Sequence, residues 1–327
     1  MIPTRAPDVS VIICTHDEAR RADLADALTS VAAQTAPPLE TVVVVDNNPT
    51  LLARLCEDLP GVRVVGNDGA RGASGARNTG ARHASGDWLA FFDDDAVAEP
   101  DWLEVLAVHR GDPTVLGVGG GLTPLWERQR PAWFPDEFAW VVGASYRGLP
   151  TVTGPVRNVW AGNMLVNRQV FAAVDGFRVG FGKTGGRSAP EDTDFCLRTQ
   201  RAFPTRQWLY EPAAQVGHKV PRRRARMLFF LQRCYSEGQG KAALVRLLSR
   251  SESMSSELRH AGTLPAAMAR ELLACSRGDR HAPLRMAAML VGLAAATAGL
   301  ARGMCKRSPR VAVADAGVPD PAPGAVL

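Results

Sequence analysis

Residues 89–100, LAFFDDDAVAEP, run from four apolar residues directly into the carboxylates of Asp93, Asp94 and Asp95. The apolar run is typical of a buried strand, which places the three carboxylates at its end. Like charges that are partly desolvated repel one another, and this predicts a positive partner such as Mg²⁺ or Mn²⁺, which prefer oxygen ligands. The alternative is an acidic turn that starts the helix following "EPDW". This stretch alone does not decide between them.

The N-terminal part of the chain alternates strand and helix patterns. Strands are predicted at residues 9–15, 40–48, 62–66 and 87–94. Helices are predicted at residues 21–35 and 51–59, and after the glycine-rich turn that begins at residue 67. Because each strand is almost uniformly apolar, the pattern indicates a mostly parallel sheet covered on both faces. The expected fold is therefore a doubly wound α/β domain.

Ligands of open α/β sheets bind outside the carboxyl ends of the strands. Thr15 ends the first predicted strand, Asp46 ends the second, and the Asp triplet ends the fourth. We therefore expect these side chains to meet at one edge. A Rossmann dinucleotide site is excluded because "HDEARR" follows the first strand and contains no glycine. Arg77 lies near the start of the helix after the glycine-rich turn, where contact with an anion and a purely structural role are both open.

The composition limits the classes of protein to which the chain can belong. The chain has 327 residues, of which 46% are hydrophobic and 22% charged, as in soluble globular proteins of one large domain with or without an appendage. The six cysteines include no CxxC pair, and several lie in apolar runs, which indicates reduced thiols of a cytoplasmic protein. The N-terminus lacks a charged segment followed by a long apolar core, so we expect no signal peptide.

The net charge of +5 is unevenly distributed. Residues 1–218 carry 20 Lys and Arg against 26 Asp and Glu, whereas residues 219–310 carry 18 against 5. A basic segment of this kind suits nucleic acid, an anionic membrane or a phosphorylated substrate. No nucleic-acid motif or aromatic interleaving accompanies it, so we expect no nucleic-acid partner.

The C-terminal part is predicted to be helical. Residues 221–250 form a basic amphipathic pattern, residues 284–301 form an apolar stretch at the short limit for a membrane span, and residues 306–327 read as a disordered tail. Two interpretations of the apolar stretch stay open. It belongs to a helical hairpin that covers the α/β domain, or it attaches peripherally to an anionic leaflet. In the second case the attachment includes the basic cluster Arg222, Arg223, Arg224 and Arg226.

Five motifs occur in one order along the chain. They are VSVIICTHDEAR, VVVVDNN, GASGARNTGARHASGDWLAFFDDDAVAEPDWL, AGNMLVNRQVFAAVDGF and PEDTDFCLR. Together they resemble the family 2 inverting glycosyltransferases of the GT-A fold, over roughly residues 9–220. The later segment GHKVPRRRARMLFFLQRCYSEGQGKA is similar to a subgroup that glycosylates lipid-linked or secondary-metabolite acceptors. The resemblance implies a GT-A catalytic domain at 1–220, a basic helical extension at 221–305 and a tail at 306–327.

The resemblance also implies roles at the donor side of the site. Thr15 and Asp46 match positions that hold the nucleobase of the donor, although Asp46 also suits a turn that ends its strand. Asp95 matches a direct ligand of Mg²⁺ or Mn²⁺, and Asp93 or Asp94 is expected to contact the ribose or a metal-bound water. The ion would neutralise the diphosphate as the sugar leaves.

Four more positions match the family pattern. Asp192 matches the catalytic base that takes the proton of the acceptor hydroxyl, with Glu191 beside it, although acidic residues also suit a helix N-terminus. Asn163 matches a position that lines the sugar pocket, and Asn is also a common turn residue. His218 matches a histidine that completes the metal or diphosphate site, with a structural role as the alternative.

The expected activity is the transfer of one sugar, with inversion, from a nucleotide sugar to a small-molecule or lipid-linked acceptor. The expected nucleotide of the donor is UDP. The chain lacks the QxxRW motif of processive synthases, which favours one sugar per encounter. A cytoplasmic location, with peripheral contact at the inner face of the membrane, agrees with this activity. A sugar nucleotidyltransferase and a non-catalytic nucleotide-sugar-binding protein are the alternatives.

Overall fold

A computed structural model describes residues 8–184, 187–247 and 250–305, without the side chains of residues 183–189 and 247–259. The strands are β1 Val9–Thr15, β2 Glu40–Val45, β3 Arg63–Gly66, β4 Trp88–Asp93, β5 Ala96–Ala98, β6 Val115–Trp126, β7 Gly154–Val156, β8 Asn163–Asn167, β9 Gly182–Thr184, β10 Arg187–Ala189 and β11 Gln207–Val220. The helices are α1 Arg21–Ala32, α2 Pro49–Asp58, α3 Ala73–His83, α4 Trp102–Ala107, α5 Arg168–Ala173, α6 Glu191–Ala202, α7 Met227–Leu247, α8 Arg250–Ser276 and α9 Ala282–Cys305. The predicted tail at 306–327 lies outside the described residues.

The main sheet has the strand order β3-β2-β1-β4-β8-β6-β11-β5, with β7 added to β11. The β3-β2-β1-β4 half is parallel, as predicted, and so is the β6-β11 pair. β8 runs antiparallel between β4 and β6, and β5 and β7 run antiparallel to β11. The sheet is therefore mixed but mostly parallel.

Helices cover both faces of the sheet. One apolar core joins Val11 and Ile13 of β1 to residues of α1, α2 and α4, and a second core joins Ile12 to residues of α3, α5 and α6. Successive side chains of a strand point to opposite faces, so a strand buried on both sides must be apolar throughout. The expectation of a doubly wound sheet is confirmed.

Two long elements were not predicted. β11 is a strand of 14 residues whose pattern is broken by a register shift between Glu211 and Gln215, where Pro212 cannot donate a ladder hydrogen bond. β6 contains consecutive glycines, which disfavour strands, but a Cβ on Gly120 would overlap the Ala214 carbonyl oxygen of β11. Close packing between these strands, which the local pattern does not reveal, decides their structure.

The C-terminal helices share a core with the catalytic part of the chain. Phe134 and Phe138, from the connection after β6, pack against Phe230 of α7, and Leu264 of α8 and Met289 of α9 belong to the same cluster. α7 begins at Met227, after a 3-10 turn at Arg222–Ala225, and so is shorter than the helix predicted at 221–250. This arrangement agrees with the helical covering that the sequence left open.

Candidate active site

The carboxyl ends of β1, β2 and β4 meet at one edge of the sheet. Cys14 of β1 pairs with Asp93 of β4, and the backbone N–H of Asp46 donates to the Thr15 carbonyl oxygen over 2.8 Å. The structure thus brings together the polar residues that follow these three strands, as the sequence predicts.

Arginines from distant segments neutralise the Asp triplet. Arg20, which precedes α1, lies 2.5 Å from Asp94 and 3.2 Å from Asp95. Burial raises the pKa of Asp94, against the opposing charge of Arg20. The triplet does not cap the next helix, because the residue before α4 is Asp101, whose side chain makes no capping hydrogen bond. The triplet therefore forms a buried charge cluster, and the acidic-turn interpretation is not supported.

Asp93, Asp95 and His218 form a group that could hold a metal ion, because one ligand atom of each lies within 4.8 Å of the others. His218 comes from β11, and its Nε2 lies 3.3 Å from Oδ1 of Asp95. Its Nδ1 is buried and has no hydrogen-bond partner among the described residues. Two carboxylates with an imidazole fit a divalent cation such as Mn²⁺.

The charges around Asp95 keep it ionised and ready to bind a cation. Burial acts to raise the pKa of Asp95, but the hydrogen bond with His218 and the charges of Arg20 and Arg224 hold that pKa well below its usual range. Arg224 lies 3.6 Å from Asp95, and its side chain is only 12% exposed. Arg224 therefore faces the site, which corrects the prediction that placed it in a membrane-facing cluster.

Asp46 shapes the glycine-rich turn before α3. Its Oδ1 accepts a hydrogen bond from the Asn67 amide over 2.6 Å, and its Oδ2 accepts one from the Gly72 N–H over 2.9 Å. Gly72 has φ of +113°, a conformation that favours glycine, and it precedes the first turn of α3. The Asp46 carboxylate therefore orders the glycine-rich turn that precedes α3, and its contact with a nucleobase stays a prediction.

Arg77 joins the metal side of the site to α6. Its guanidinium lies 3.2 Å from Asp93 and 3.0 Å from Glu191, and it stacks at 5.6 Å over the ring of Phe177. The side chain of Arg77 is 12% exposed, whereas that of Asp93 is 37% exposed. Arg77 therefore holds Glu191 and Asp93 on either side of one buried cation.

We expect Arg77→Met to lower the free energy of unfolding by roughly 3 kcal/mol, because Glu191 and Asp93 would lose their shared cation. We use the low end of the range of destabilisation measured for broken buried ion pairs, because Asp93 is partly exposed. Arg82→Met, on the same helix, removes an exposed ion pair with Asp68 and should change stability by less than about 0.5 kcal/mol. Urea unfolding of both variants measures the difference, and equal effects would contradict the bridging role.

Asp192 lies in the first turn of α6, where its carboxylate accepts the Thr193 N–H over 2.7 Å. Burial raises the pKa of Asp192 to about 6, and the Glu191 carboxylate adds to this rise, whereas the Thr193 N–H and the Lys241 ammonium oppose it. A carboxylate whose pKa approaches neutrality is well suited to take a proton at physiological pH. By contrast, Asp194 is fully buried between Arg178 and Arg198 and has a structural role.

Asn163 lies inside the sheet and is fully buried. Its amide donates to the carbonyl oxygens of Gly121 and Ala214 over 2.9 and 3.0 Å, and its oxygen accepts the indole N–H of Trp102 over 2.7 Å. These bonds join β8 to β6, β11 and α4. This geometry leaves Asn163 no exposed surface, so it argues against the predicted contact with the sugar.

Apart from Arg77, the cationic side of the site was not identified from the sequence. Arg20 lies 74 positions before Asp94, and Arg224 was assigned to a different surface. Lys241 and Glu237 of α7 act on Asp192 and are 3.3 Å apart. For Lys241 and Glu237 the only signal in the sequence is their spacing of four residues, which places both side chains on one face of a helix.

Comparison with known proteins identifies the family. Residues 10–174 match the model described as Glycosyl transferase family 2. The glucosyl-dolichyl phosphate glucuronosyltransferase of Haloferax volcanii is 34% identical over 241 residues, which cover 72% of this chain and 77% of that protein. The succinoglycan biosynthesis protein ExoM of Rhizobium meliloti is 28% identical over 258 residues, covering 75% and 77%.

A solved structure shares the fold. The mannosyltransferase PcManGT from Pyrobaculum calidifontis, in complex with GDP-Man and Mn²⁺, superposes with a TM-score of 0.59 at 20% identity, over 93% of this chain and 88% of that chain. This likeness confirms the predicted GT-A fold. The chain belongs to glycosyl transferase family 2. The nucleotidyltransferase and non-catalytic alternatives are accordingly set aside in favour of a glycosyltransferase.

Proposed function

We propose that the protein transfers a single sugar, with inversion, from a UDP-linked donor to a lipid-linked acceptor, and that transfer requires Mg²⁺ or Mn²⁺. The observation that carries this proposal is the arrangement at the sheet edge. Asp93, Asp95 and His218 lie together, and Arg77 connects Asp93 to Glu191, next to Asp192. A cation-binding group thus faces a carboxylate base across one arginine.

The residues divide into a donor side and an acceptor side. Asp95 and His218, with Asp93, would hold the cation, which supplies Lewis-acid stabilisation of the diphosphate. Thr15 and Asp46 would bind the nucleobase, and Asp94 is held by Arg20 beneath them. Arg77 would lie near the departing diphosphate while it orients Glu191. This assignment differs from the predicted roles in three respects. Asn163 is removed from the ligand contacts, Asp93 is moved from the donor to the cation, and Asp94 is given the pair with Arg20 in place of a donor contact.

Asp192 would act as the base on the acceptor side. The acceptor oxygen attacks C1 of the sugar as the bond from C1 to the diphosphate oxygen breaks, and the Asp192 carboxylate takes the acceptor proton. Attack opposite the leaving group inverts the anomeric centre. When the acceptor is an ionised phosphate, no proton needs to be removed, so dependence on Asp192 distinguishes a hydroxyl from a phosphate acceptor.

An open cavity of about 380 Å³ offers a place for the acceptor. Pro124 in its wall pairs with His218 between β6 and β11, so the cavity lies beside the proposed metal group. Trp126, Phe134 and Tyr146 contribute aromatic surface to it. The wall also carries Arg130 and Arg147, both paired with Asp136, so the cavity combines aromatic and charged surface, which suits the apolar and the polar parts of a lipid-linked molecule. The relative that acts on a glucosyl-dolichyl phosphate supports the same class of acceptor.

A cytoplasmic location is part of the proposal. All six cysteines are free thiols in the described structure, as expected in a reducing compartment. Burial raises the pKa of Cys14, beside the triplet, to about 12, so this thiol is inert at neutral pH.

The proposal is tested by a donor screen. The full chain is incubated with UDP-, GDP- and TDP-sugars and polyprenyl phosphate or a glycosylated polyprenyl phosphate, with Mn²⁺, with Mg²⁺ or with a chelator. We expect UDP-sugars to release UDP only with metal, GDP- and TDP-sugars to release little diphosphate, and NMR to show an inverted anomeric configuration in the product. Retention of configuration, or full turnover in the chelator, would overturn that part of the proposal.

The pH dependence of transfer should report the charges around Asp192. The base must be ionised, so we expect transfer to a hydroxyl acceptor to fall as the pH decreases through about 6. Lys241 lowers the pKa of Asp192, whereas Glu191 and Glu237 raise it.

Two variants of α7 should therefore move the pH profile in opposite directions. Lys241→Gln removes a cation and should move the acidic limb up by about one pH unit, and Glu237→Gln should move it down. General damage to α7 would lower the rate without opposite displacements. Rates measured from pH 4 to pH 9 (roughly the range in which carboxylates and imidazoles titrate) decide this, and shifts of the same sign would contradict Asp192 as the base.

A further inference from the structure

α9 combines the composition of a membrane segment with an open position on the protein. Of the described helices, it is the one that is long and apolar enough to cross a membrane, with a mean hydropathy of 1.7 and 22% of its apolar window buried. No Asp, Glu, Lys or Arg occurs between Met286 and Ala301. The core helix of a soluble protein would be mostly buried, and α9 is not.

The buried side of α9 packs closely on α7. A Cβ on Gly299 would overlap the Tyr235 carbonyl oxygen, and a Cβ on Gly238 of α7 would overlap the Ala296 carbonyl oxygen. Gly303 faces Ala242 in the same way. The two backbones are therefore in direct contact along several turns, and α7 fixes which side of α9 faces outwards.

The outward side of α9 is apolar. Its large side chains are between 42% and 57% exposed, and we call them the apolar face: Leu284, Leu290, Val291, Leu293 and Met304. Leu272 and Leu273 of α8, which packs against α9, are also exposed. Soluble monomers rarely expose large contiguous apolar patches without a partner.

The exposed charges described around this face are mostly positive, although the exposed Glu127 carboxylate accepts the Arg222 backbone N–H over 2.7 Å. Arg277 and Arg280 precede α9, and Arg302 lies in its last turn. At the start of α7, Arg222, Arg223 and Arg226 are exposed beside Met227 and Leu228. The nearby carboxylates Glu271 and Asp279 bind Arg285, at 2.7 and 2.6 Å, and so are already neutralised. This charge pattern matches an anionic surface.

α9 is not placed to cross a bilayer. A spanning helix has lipid around it or packs against other apolar helices, but α7 lies along α9 and carries Arg233, Glu237 and Lys241. Immersing these groups in hydrocarbon would cost several kcal/mol each. A helix with one side on protein and the other apolar side exposed is suited to lie in the plane of an interface.

We propose that the apolar face of α9 docks onto an anionic lipid surface, with the axis of α9 parallel to the membrane and the exposed arginines among the headgroups. The docking itself does not depend on the proposed sugar transfer. The benefit of docking for catalysis rests on the proposed function. α7 connects the docking surface to Lys241, which acts on Asp192, and the turn before α7 places Arg224 beside Asp95. A lipid-linked acceptor would then arrive close to the site.

Co-sedimentation of the full chain with vesicles tests the docking. We expect binding to phosphatidylcholine vesicles that contain phosphatidylglycerol, weaker binding to phosphatidylcholine alone, and release by high salt. The double variant Leu290→Glu with Val291→Glu should lose binding at least tenfold. Val152→Glu, at an exposed valine outside the C-terminal helices, is the matched control and should bind like the parent.

The arginines are tested separately. Replacing Arg222, Arg223 and Arg226 together by Ser should weaken binding to the anionic vesicles by about a hundredfold, from roughly fivefold for each charge. All substituted side chains are exposed, so unchanged thermal unfolding checks the fold. Undiminished binding by the α9 double variant would overturn the proposal.

A second copy of the chain is the competing occupant of the apolar face. Light scattering after size exclusion distinguishes it, since a dimer that Leu290→Glu with Val291→Glu dissociates would also overturn lipid docking. Vesicle binding needs no donor or acceptor, so failure of the docking and failure of the proposed transfer are separate results.

Discussion

Asp192→Asn is expected to lower sugar transfer to a hydroxyl acceptor by about 10²- to 10⁴-fold, the usual contribution of a general base. Asn has the same shape, and its oxygen can still accept the Thr193 N–H that Asp192 binds. The partly buried carboxylate with a raised pKa would be replaced by a neutral group, so stability at neutral pH should not fall. Steady-state kinetics and nucleotide binding measure the two effects.

Asp194→Asn is the matched control in the same turn of α6. Asp194 is fully buried and pairs with Arg178 and Arg198 at 3.1 and 2.8 Å. Its replacement leaves two arginines without their carboxylate and should lower the free energy of unfolding by about 3–5 kcal/mol. The two variants thus separate chemistry from folding. A rate near that of the parent for Asp192→Asn would remove Asp192 from the mechanism.

Asp95→Asn is expected to abolish metal-stimulated turnover and to lower the affinity for Mn²⁺ by at least tenfold. The variant removes the carboxylate whose low pKa keeps it ionised and leaves Arg20, Arg224 and His218 around a neutral amide. A bound divalent cation contributes several kcal/mol to transition-state stabilisation, so the rate should fall by about 10³-fold. Calorimetric titration with Mn²⁺ and rate measurement at saturating metal check both expectations.

Asp101→Asn provides the comparison for Asp95→Asn. Asp101 is exposed, lies between β5 and α4 and makes no capping hydrogen bond with its side chain. The Asp101→Asn variant should bind Mn²⁺ with the affinity of the parent and turn over at the same rate. If Asp95→Asn retains the affinity of the parent for Mn²⁺, the Asp93, Asp95 and His218 group is not the metal site.

The sequence predicts the first half of the fold because each element there is locally coded. β1 and β4 are continuous apolar runs that end in polar residues, and the structure places their ends within one residue of the prediction. β11 could not be predicted in this way. Its bulge at Glu211–Gln215 interrupts the pattern, and the structure stabilises it through long pairing with β6. Local periodicity carries no information about such pairing.

The acidic half of the site was predictable, and the basic half was not. Carboxylates at strand ends must meet because the strands are parallel neighbours, so order along the chain is enough. Arg20 reaches the triplet from the turn between β1 and α1, and Arg224 reaches it from the turn before α7. The sequence contains many arginines, and nothing in their local pattern selects these two. Asn163 shows the opposite case, in which the sequence predicted a role that the structure does not support. A motif position suggested a ligand contact, and the packing of three strands around it decides otherwise.

The shared aromatic cluster of Phe134, Phe138 and Phe230 has a consequence for the boundary predicted at residue 220. A chain shortened to Val220 would keep every proposed ligand of the cation, yet it would expose the rings that α7 covers and lose Arg224 and Lys241 from the vicinity of Asp95 and Asp192. The nucleotide-binding half and the helical half are therefore one folding unit, and neither is expected to work as an isolated module.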